Sequence, residues 1–212
     1  MSEIVAGIQV PDSKLAREAT DLLREHGTPL LFAHSLRVFV FGSLRGRRRG
    51  LKVDHELLYI EAVFHDLGLT PNYRSRDHRF EVDSANAARD FLRANGVDEA
   101  AAGLVWDAIS LHTTPEIPWH KQPEVALVTG GVEADVLGVG LDEISAEDRA
   151  DVLAAYPRVD FKRGIVQAFA DGFGHKPTTA FGTMNTDILE KTQPGYRRPN
   201  FCDLIAANPL GG

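Results

Sequence analysis

Residues 62–68 read Ala-Val-Phe-His-Asp-Leu-Gly, an apolar run that ends in the pair His65-Asp66 and then in Gly68. Leu58 and Ala62 share a helical face with His65, which therefore points inward. Glycine is typical of the position just after a helix. Neighbours on a helix point about 100° apart, yet both can reach one point where the helix ends. The segment predicts a buried polar helix terminus.

Polar residues occur on the apolar faces of three other predicted helices, at His34, His112 and Asp135. A buried carboxylate is costly unless it is paired or binds a metal. One buried histidine is more often a hydrogen-bonded core residue, but one ion can satisfy several converging groups. Imidazole nitrogen and carboxylate oxygen both suit zinc, iron and manganese. The pattern indicates a shared metal ion.

Helical periodicity dominates the chain and strand signals are nearly absent, so the predicted fold class is all-α. No long linker divides the sequence, which favours one domain over residues 1–212. The tail from Lys176 is rich in Pro, Gly, Thr and Asn and is predicted to be irregular, with one short helix over 185–191. The other predicted helices span about 14–24, 29–45, 54–67, 81–95, 98–112, 123–137, 146–155 and 161–173, and Asp12 or Ser13 caps the first.

The charge balance argues against a general nucleic-acid binder. The chain has 23 Lys+Arg against 30 Asp+Glu, a net charge of −7, whereas binding to phosphates needs a basic face. A local exception is the cluster formed by Arg45, 47–49 and Lys52, which we interpret as a solvated loop between helices. The expected partner is therefore a small-molecule substrate, with homo-oligomerisation only a general expectation.

The compartment expected from the sequence is the cytoplasm. Cys202 is the only cysteine, so an intramolecular disulfide framework is excluded. The N-terminus lacks the basic start and long apolar stretch of a signal peptide. No apolar run is long enough to span a bilayer, so we expect no membrane partner.

The order His34, then His65-Asp66, then Asp135 resembles the H…HD…D signature of the HD-domain superfamily of metal-dependent hydrolases. The resemblance covers about residues 30–140. It implies an all-helical HD-domain bundle in which His34, His65, Asp66 and Asp135 bind one divalent metal ion, with at least one position left for water. Such an ion lowers the pKa of bound water toward neutrality.

Within that superfamily the chain is most similar to the cyanamide hydratase-like branch. This similarity implies zinc, although Fe²⁺ or Mn²⁺ suit the same donors, and hydration of a small nitrile-like substrate, cyanamide giving urea. HD nucleotidases of the 5′-deoxynucleotide type usually have a glutamate three residues after the HD pair, where this chain has Leu69. The similarity is found in segments 34–38, 64–68, 79–83, 108–113 and 131–135.

Three further side chains are candidates for catalytic roles. His112 can transfer protons because imidazole titrates near neutral pH, or it can be a core histidine or a further metal ligand. Glu81 is either a second proton carrier or a first-turn acid that interacts with the helix dipole, and Asp83 has the same two interpretations. Arg37, one turn after His34, can anchor a substrate, orient a carboxylate ligand or form a structural ion pair.

Two other functions remain open from the sequence. An HD phosphohydrolase acting on a nucleotide or small phosphomonoester would use the same metal ligands, with Arg37 or the cluster at Arg45–Lys52 binding the anion. A non-catalytic metal- or ligand-binding regulator would need a coordinatively saturated ion, with His112 completing the coordination.

Overall fold

Helices form the framework of the computed structural model, which describes residues 3–210. The α-helices are α1 (Lys14–His26), α2 (Pro29–Arg49), α3 (His55–Phe64), α4 (Phe80–Ala94), α5 (Glu99–Leu111), α6 (Pro123–Val132), α7 (Ala146–Ala155), α8 (Phe161–Phe173), α9 (Asn185–Thr192) and α10 (Phe201–Ala206). Short 3₁₀ turns occur at Leu67–Leu69, Ile117–His120, Leu141–Glu143 and Pro177–Ala180, and a π-helical turn at Glu133–Leu137. Among residues 3–210, no helix is both long enough and apolar enough to cross a bilayer. The predicted all-α fold is confirmed.

Local capping explains why most of the predicted helices begin where they do. The Ser13 side chain accepts from the Ala16 backbone N–H at the start of α1, as the sequence predicts. Thr28 caps α2 in the same way, and Pro29 occupies the first turn, where a missing N–H costs nothing. Asp98 caps α5 by accepting from two backbone N–H groups. These caps satisfy amide groups that a helix start would otherwise leave without partners.

Several local features differ from the sequence prediction. The third helix ends at Phe64, and the His65-Asp66 pair lies in the turn that follows. The N-terminal residues form a hairpin of two short antiparallel strands, β1 (Ile4–Val5) and β2 (Ile8–Gln9). The tail contains the additional helix α10, so it is less irregular than predicted. The single-domain interpretation of residues 1–212 stays a prediction, and residues 1–2 and 211–212 lie outside the described part of the chain.

The arginines of the cluster after position 44 lie in a helix, whereas the charge pattern predicted a solvated loop. Residues 45–49 continue helix α2, and Arg45 is only 3% exposed. Its guanidinium donates to the Gly130 carbonyl oxygen at 2.9 Å and to Glu143 at 2.8 Å. Arg49 also donates to Glu143. The prediction was wrong for Arg45, whose charge is neutralised by carboxylates distant in sequence, whereas residues 47–49 and 52 are exposed and residue 52 lies beyond the helix.

Helix α2 is the central element and packs against α3 and α6. The main apolar cluster includes Leu36, Phe39 and Leu58, whereas a smaller cluster includes Leu31 and joins α2 to α8 and α9. The two clusters adjoin at His34, which lies between Leu31 and Leu36 on α2. The polar centre described below therefore lies where the two apolar cores meet.

Close contact between α2 and α6 depends on glycine. A Cβ on Gly131 would lie 2.1 Å from the Val38 carbonyl oxygen, and one on Gly42 would lie 2.5 Å from the Leu127 carbonyl oxygen. Both contacts are with backbone, which cannot rotate away. The missing side chains let α6 approach α2 closely enough to bring Asp135, just beyond α6, against residues of α2.

Substituting Gly131 with alanine should therefore destabilise the protein. We expect Gly131→Ala to lower the free energy of unfolding by about 1–3 kcal/mol, the usual cost of overpacking. Gly103 is a matched control because it also lies within a helix but has nothing within 4 Å of the position that an added Cβ would take. We expect Gly103→Ala to raise the free energy of unfolding by about 0.5–1 kcal/mol. Urea unfolding followed by circular dichroism measures both. Equal stability of Gly131→Ala and wild type would contradict the proposed close contact.

Candidate metal centre

Three buried side chains from two neighbouring elements converge at the centre of the molecule. His34 comes from the second turn of α2, and His65 and Asp66 follow α3, where the chain turns into the 3₁₀ segment Leu67–Leu69. None of the three is more than 3% exposed. One donor atom from each lies within 4.8 Å of the others. The structure thus brings together three of the four predicted metal ligands.

The spacing of these donor atoms fits a single small cation. The Nε2 atoms of His34 and His65 are 3.2 Å apart. Asp66 Oδ2 lies 3.6 Å from Nε2 of His34 and 3.3 Å from Nε2 of His65. Donors arranged tetrahedrally around zinc at bond lengths of about 2.1 Å are separated by about 3.4 Å. The triangle already has the dimensions of one face of such a site.

The positions of the ring protons leave Nε2 lone pairs facing the cluster. Nδ1 of His65 contacts the Ala62 carbonyl oxygen at 2.7 Å, and Nδ1 of His112 contacts the Ile109 carbonyl oxygen at 2.6 Å. A carbonyl oxygen can only accept, so in the neutral rings both Nδ1 atoms carry the hydrogen. The unprotonated Nε2 of His112 then lies 3.6 Å from Asp66 Oδ1. This tautomer is the one that a metal bound at Nε2 requires.

Asp135 lies behind His34 rather than beside the other ligands. Its Oδ2 accepts from Nδ1 of His34 at 2.6 Å and from Arg37 at 2.9 Å, and its Oδ1 accepts from Arg37 at 2.8 Å and from Arg158 at 2.7 Å. Burial raises the pKa of Asp135, but these bonds outweigh it and the net pKa is lowered. The imidazole ring separates this carboxylate from His34 Nε2. Asp135 therefore orients His34, whereas the sequence predicted a fourth metal ligand.

Asp66 is the strongest sign that a cation belongs here. Both of its oxygens are buried, and neither accepts a hydrogen bond from any residue between 3 and 210. Burial raises the pKa of Asp66, but the imidazoles of His65, His112 and His34 outweigh it, so the net pKa falls well below the ordinary value. A buried carboxylate that accepts no hydrogen bond is unfavourable unless a positive charge lies beside it. The donor set fits one divalent metal ion.

A cavity of about 120 Å³ opens beside these donors. His112 and Thr113 line it from the end of α5, Val132 and Val136 from α6 and the π-helical turn, and Phe169 from α8. The lining is mostly apolar around a few polar groups, which is the usual character of a small-molecule site. The cluster is therefore accessible to a ligand.

Two predicted catalytic residues are placed away from this cavity. Glu81 is fully buried and accepts from Arg79 at 2.8 Å, from the Thr113 hydroxyl at 2.6 Å and from Asn185 at 3.3 Å. Arg37 is likewise buried. Neither Glu81 nor Arg37 is among the described residues that line the cavity. Among the described residues, Glu81 contacts the cavity only through Thr113, and the catalytic roles of Glu81 and Arg37 stay predictions.

Asp83, the alternative to Glu81, forms a buried ion pair with Lys176 at 2.7 Å. It also accepts from the Ser75 backbone N–H at 2.9 Å. Lys176 begins the tail segment that continues into α9. The carboxylate therefore attaches the tail to α4.

Sequence reasoning missed several cavity residues. Thr129 and Glu133 lie one turn apart in α6 and the turn that follows, on the same face as Val136. The helical spacing of positions 129, 133 and 136 could have shown that these residues share one face. Two of the three are polar, so the face did not stand out as an apolar stripe. Phe169 and Met184 also line the cavity from the C-terminal part of the chain, and no pattern in the sequence indicated this.

Metal binding should release protons. Burial lowers the pKa of His65, but Asp66 and the Ala62 carbonyl outweigh it, so the net pKa is raised. His65 therefore holds a proton at a pH where an ordinary histidine has lost it, and zinc must displace that proton. We expect zinc affinity to fall as pH drops from about 8 to about 6. Calorimetry in two buffers of different ionisation enthalpy measures the released protons.

The control is His120→Ala, because the His120 side chain is 75% exposed and should leave proton release unchanged. Zinc affinity that does not vary over this pH range would show that the cluster is not the binding site.

A family model described as HD domain matches residues 31–154, more than half of the 212-residue chain. The matched span contains His34, His65, Asp66, His112 and Asp135. None of the curated proteins compared matches the chain. The match does not distinguish branches of the family, so the cyanamide hydratase-like branch stays a prediction. Together with the cluster geometry, the match shows that this chain belongs to the HD domain family, whose members are generally metal-dependent hydrolases.

Proposed function

We propose that this chain is a metal-dependent enzyme that hydrates a small nitrile-like molecule, with cyanamide to urea as the reaction to test. In this proposal His34, His65 and Asp66 hold one divalent ion, zinc foremost, with Fe²⁺ or Mn²⁺ as alternatives. The observation that carries the proposal is the cavity. Its volume is about 120 Å³, whereas pockets for drug-sized ligands are about 300–1,000 Å³. Such a space favours a substrate of few atoms.

The charge of the cavity supports the same substrate class. No lysine or arginine is among its lining residues in the part of the chain described. Phosphomonoesters are dianionic near neutral pH and are typically bound by Arg or Lys. Three of the arginines considered as anion binders are engaged elsewhere, because Arg45 and Arg49 pair with Glu143 and Arg37 with Asp135. A neutral nitrile needs no such cation.

Proton transfer is assigned to His112. The ion, when bound, supplies Lewis-acid activation of water. Hydration then joins the water oxygen to the nitrile carbon, and both water protons finish on the nitrile nitrogen to give an amide. His112 lines the cavity, and in its neutral form Nε2 is the nitrogen without a hydrogen, because Nδ1–H donates to the Ile109 carbonyl oxygen. It can accept a proton from water and return it to nitrogen.

In this proposal Arg37 and Asp135 orient the imidazole ring of His34. Arg37 donates twice to Asp135 and also to the carbonyl oxygens of Tyr156 and Pro157 at 3.1 Å. These four bonds hold the Arg37 guanidinium in place. The guanidinium in turn holds the Asp135 carboxylate, which accepts the hydrogen bond from His34 Nδ1–H. Such outer partners commonly set the tautomer and direction of a metal-binding histidine.

Removing His65 should abolish both metal binding and activity. We expect purified wild type to contain about one equivalent of metal and to release urea from cyanamide. His65→Ala should lose the metal and at least about a hundredfold in rate, more than the usual loss from changing a residue that only orients a ligand. His120→Ala, an exposed histidine, should behave as wild type. Elemental analysis and a urea assay measure both quantities.

Wild-type urea release by metal-free His65→Ala would contradict the proposal. A parallel panel of phosphomonoesters separates the alternative function. Phosphate release without urea release would replace the hydratase with a phosphohydrolase. A metal-loaded wild type without either activity would favour a non-catalytic binding protein.

A further inference from the structure

A carboxylate that the proposed reaction does not use lines the cavity. Glu133 begins the π-helical turn after α6, two residues before Asp135. It lines the same cavity as Asp66 and His112. Its side chain is 19% exposed. Single π-helical turns within α-helices are frequent at functional sites, so this position is worth testing for a ligand-binding role.

Glu133 is held from outside the cavity. The Trp119 indole N–H donates to both carboxylate oxygens, at 3.3 and 3.4 Å, and Arg45 donates to one of them at 3.4 Å. Arg45 in turn lies over the Trp119 ring, 4.7 Å from its centroid. Neither Trp119 nor Arg45 is among the described lining residues. The contacts are long, and a carboxylate has about four acceptor positions, so Glu133 retains capacity to accept from a ligand.

A second polar group lies one turn earlier on the same wall. The Thr129 side chain is 1% exposed and lines the cavity. Its hydroxyl has no hydrogen-bond partner in residues 3–210. A buried hydroxyl without a partner costs free energy, and a ligand that accepts from Thr129 would remove that cost. The wall therefore offers one donor, Thr129, and one anionic acceptor, Glu133.

We propose that Glu133 selects the ligand of this cavity. It favours a small neutral or cationic molecule with an N–H donor and repels anions such as phosphate. No lysine or arginine is among the described lining residues, so an added anion would meet the carboxylates of Asp66 and Glu133 with only the bound divalent ion to attract it. The substrate part of this inference rests on the proposed function, since cyanamide has both an N–H donor and a nitrile acceptor.

The test compares zinc-loaded wild type with Glu133→Gln and Glu143→Gln. Glutamine keeps the shape of the side chain and an oxygen for Trp119 but removes the charge. Glu143 is the matched control because it also pairs with Arg45 but is not among the described residues that line the cavity. Calorimetric titration with inorganic phosphate measures anion binding. Steady-state kinetics compare cyanamide with acetonitrile, which has no N–H donor.

We expect Glu133→Gln to bind phosphate on the order of tenfold more tightly than wild type, since a nearby negative charge is gone. Its KM for cyanamide should rise on the order of tenfold through loss of a charged acceptor, while KM for acetonitrile stays unchanged. Glu143→Gln should match wild type in both assays.

Equal phosphate affinity in Glu133→Gln and wild type would overturn the inference, and so would equal rises in KM for both nitriles. A wild type that hydrates no nitrile would refute the proposed function alone. The phosphate titration would still decide whether Glu133 excludes anions.

Discussion

The interior of this protein holds imidazole nitrogens and a carboxylate close to one another. The Nε2 atoms of His34 and His65 are 3.2 Å apart, and the Asp66 oxygens beside them accept no hydrogen bond within residues 3–210. These side chains are buried, so bulk solvent does little to reduce the repulsion between the groups. A cation must supply the missing attraction. A proton satisfies one pair of atoms, whereas a divalent ion satisfies all of them.

The surrounding structure keeps these lone pairs in place. His65 and His112 each follow a helix end and donate Nδ1–H to the carbonyl oxygen three residues earlier, which also satisfies carbonyls that a helix terminus leaves without partners. His34 lies in the second turn of α2, away from the helix C-terminus where carbonyls lack partners, and it donates to Asp135 instead. Asp135 can take this position because Gly131 allows α6 to approach α2 closely. The orientation of the three histidines thus depends on where α3 and α5 end and on how closely α6 packs against α2.

Sequence reasoning was most successful where local signals are strong. The helix starts at Ser13 and Pro29 follow from capping and proline chemistry, and the His65-Asp66 pair stands out because it ends an apolar run. Helical periodicity indicated that Asp135 points inward, but not which side of His34 it would approach. That choice depends on Arg37 and Arg158, which reach Asp135 from distant parts of the chain.

Glu61 shows the limit of equating an inward carboxylate with a metal ligand. It is fully buried in α3, and neither of its oxygens has a hydrogen-bond partner among residues 3–210. Burial, with smaller effects from Glu124 and Asp54, raises its pKa well above the ordinary value. Glu61 avoids the cost of a buried charge by binding a proton. Asp66 has the opposite shift because imidazoles surround it, and only tertiary structure separates the two cases.

The most direct measurement is anomalous diffraction at the zinc edge from crystals of the zinc-loaded protein. The account predicts one strong peak about 2.1 Å from Nε2 of His34, Nε2 of His65 and an oxygen of Asp66, with Asp135 still bonded to Nδ1 of His34. A peak bound to Asp135, or none at this cluster while zinc is present elsewhere in the crystal, would contradict it.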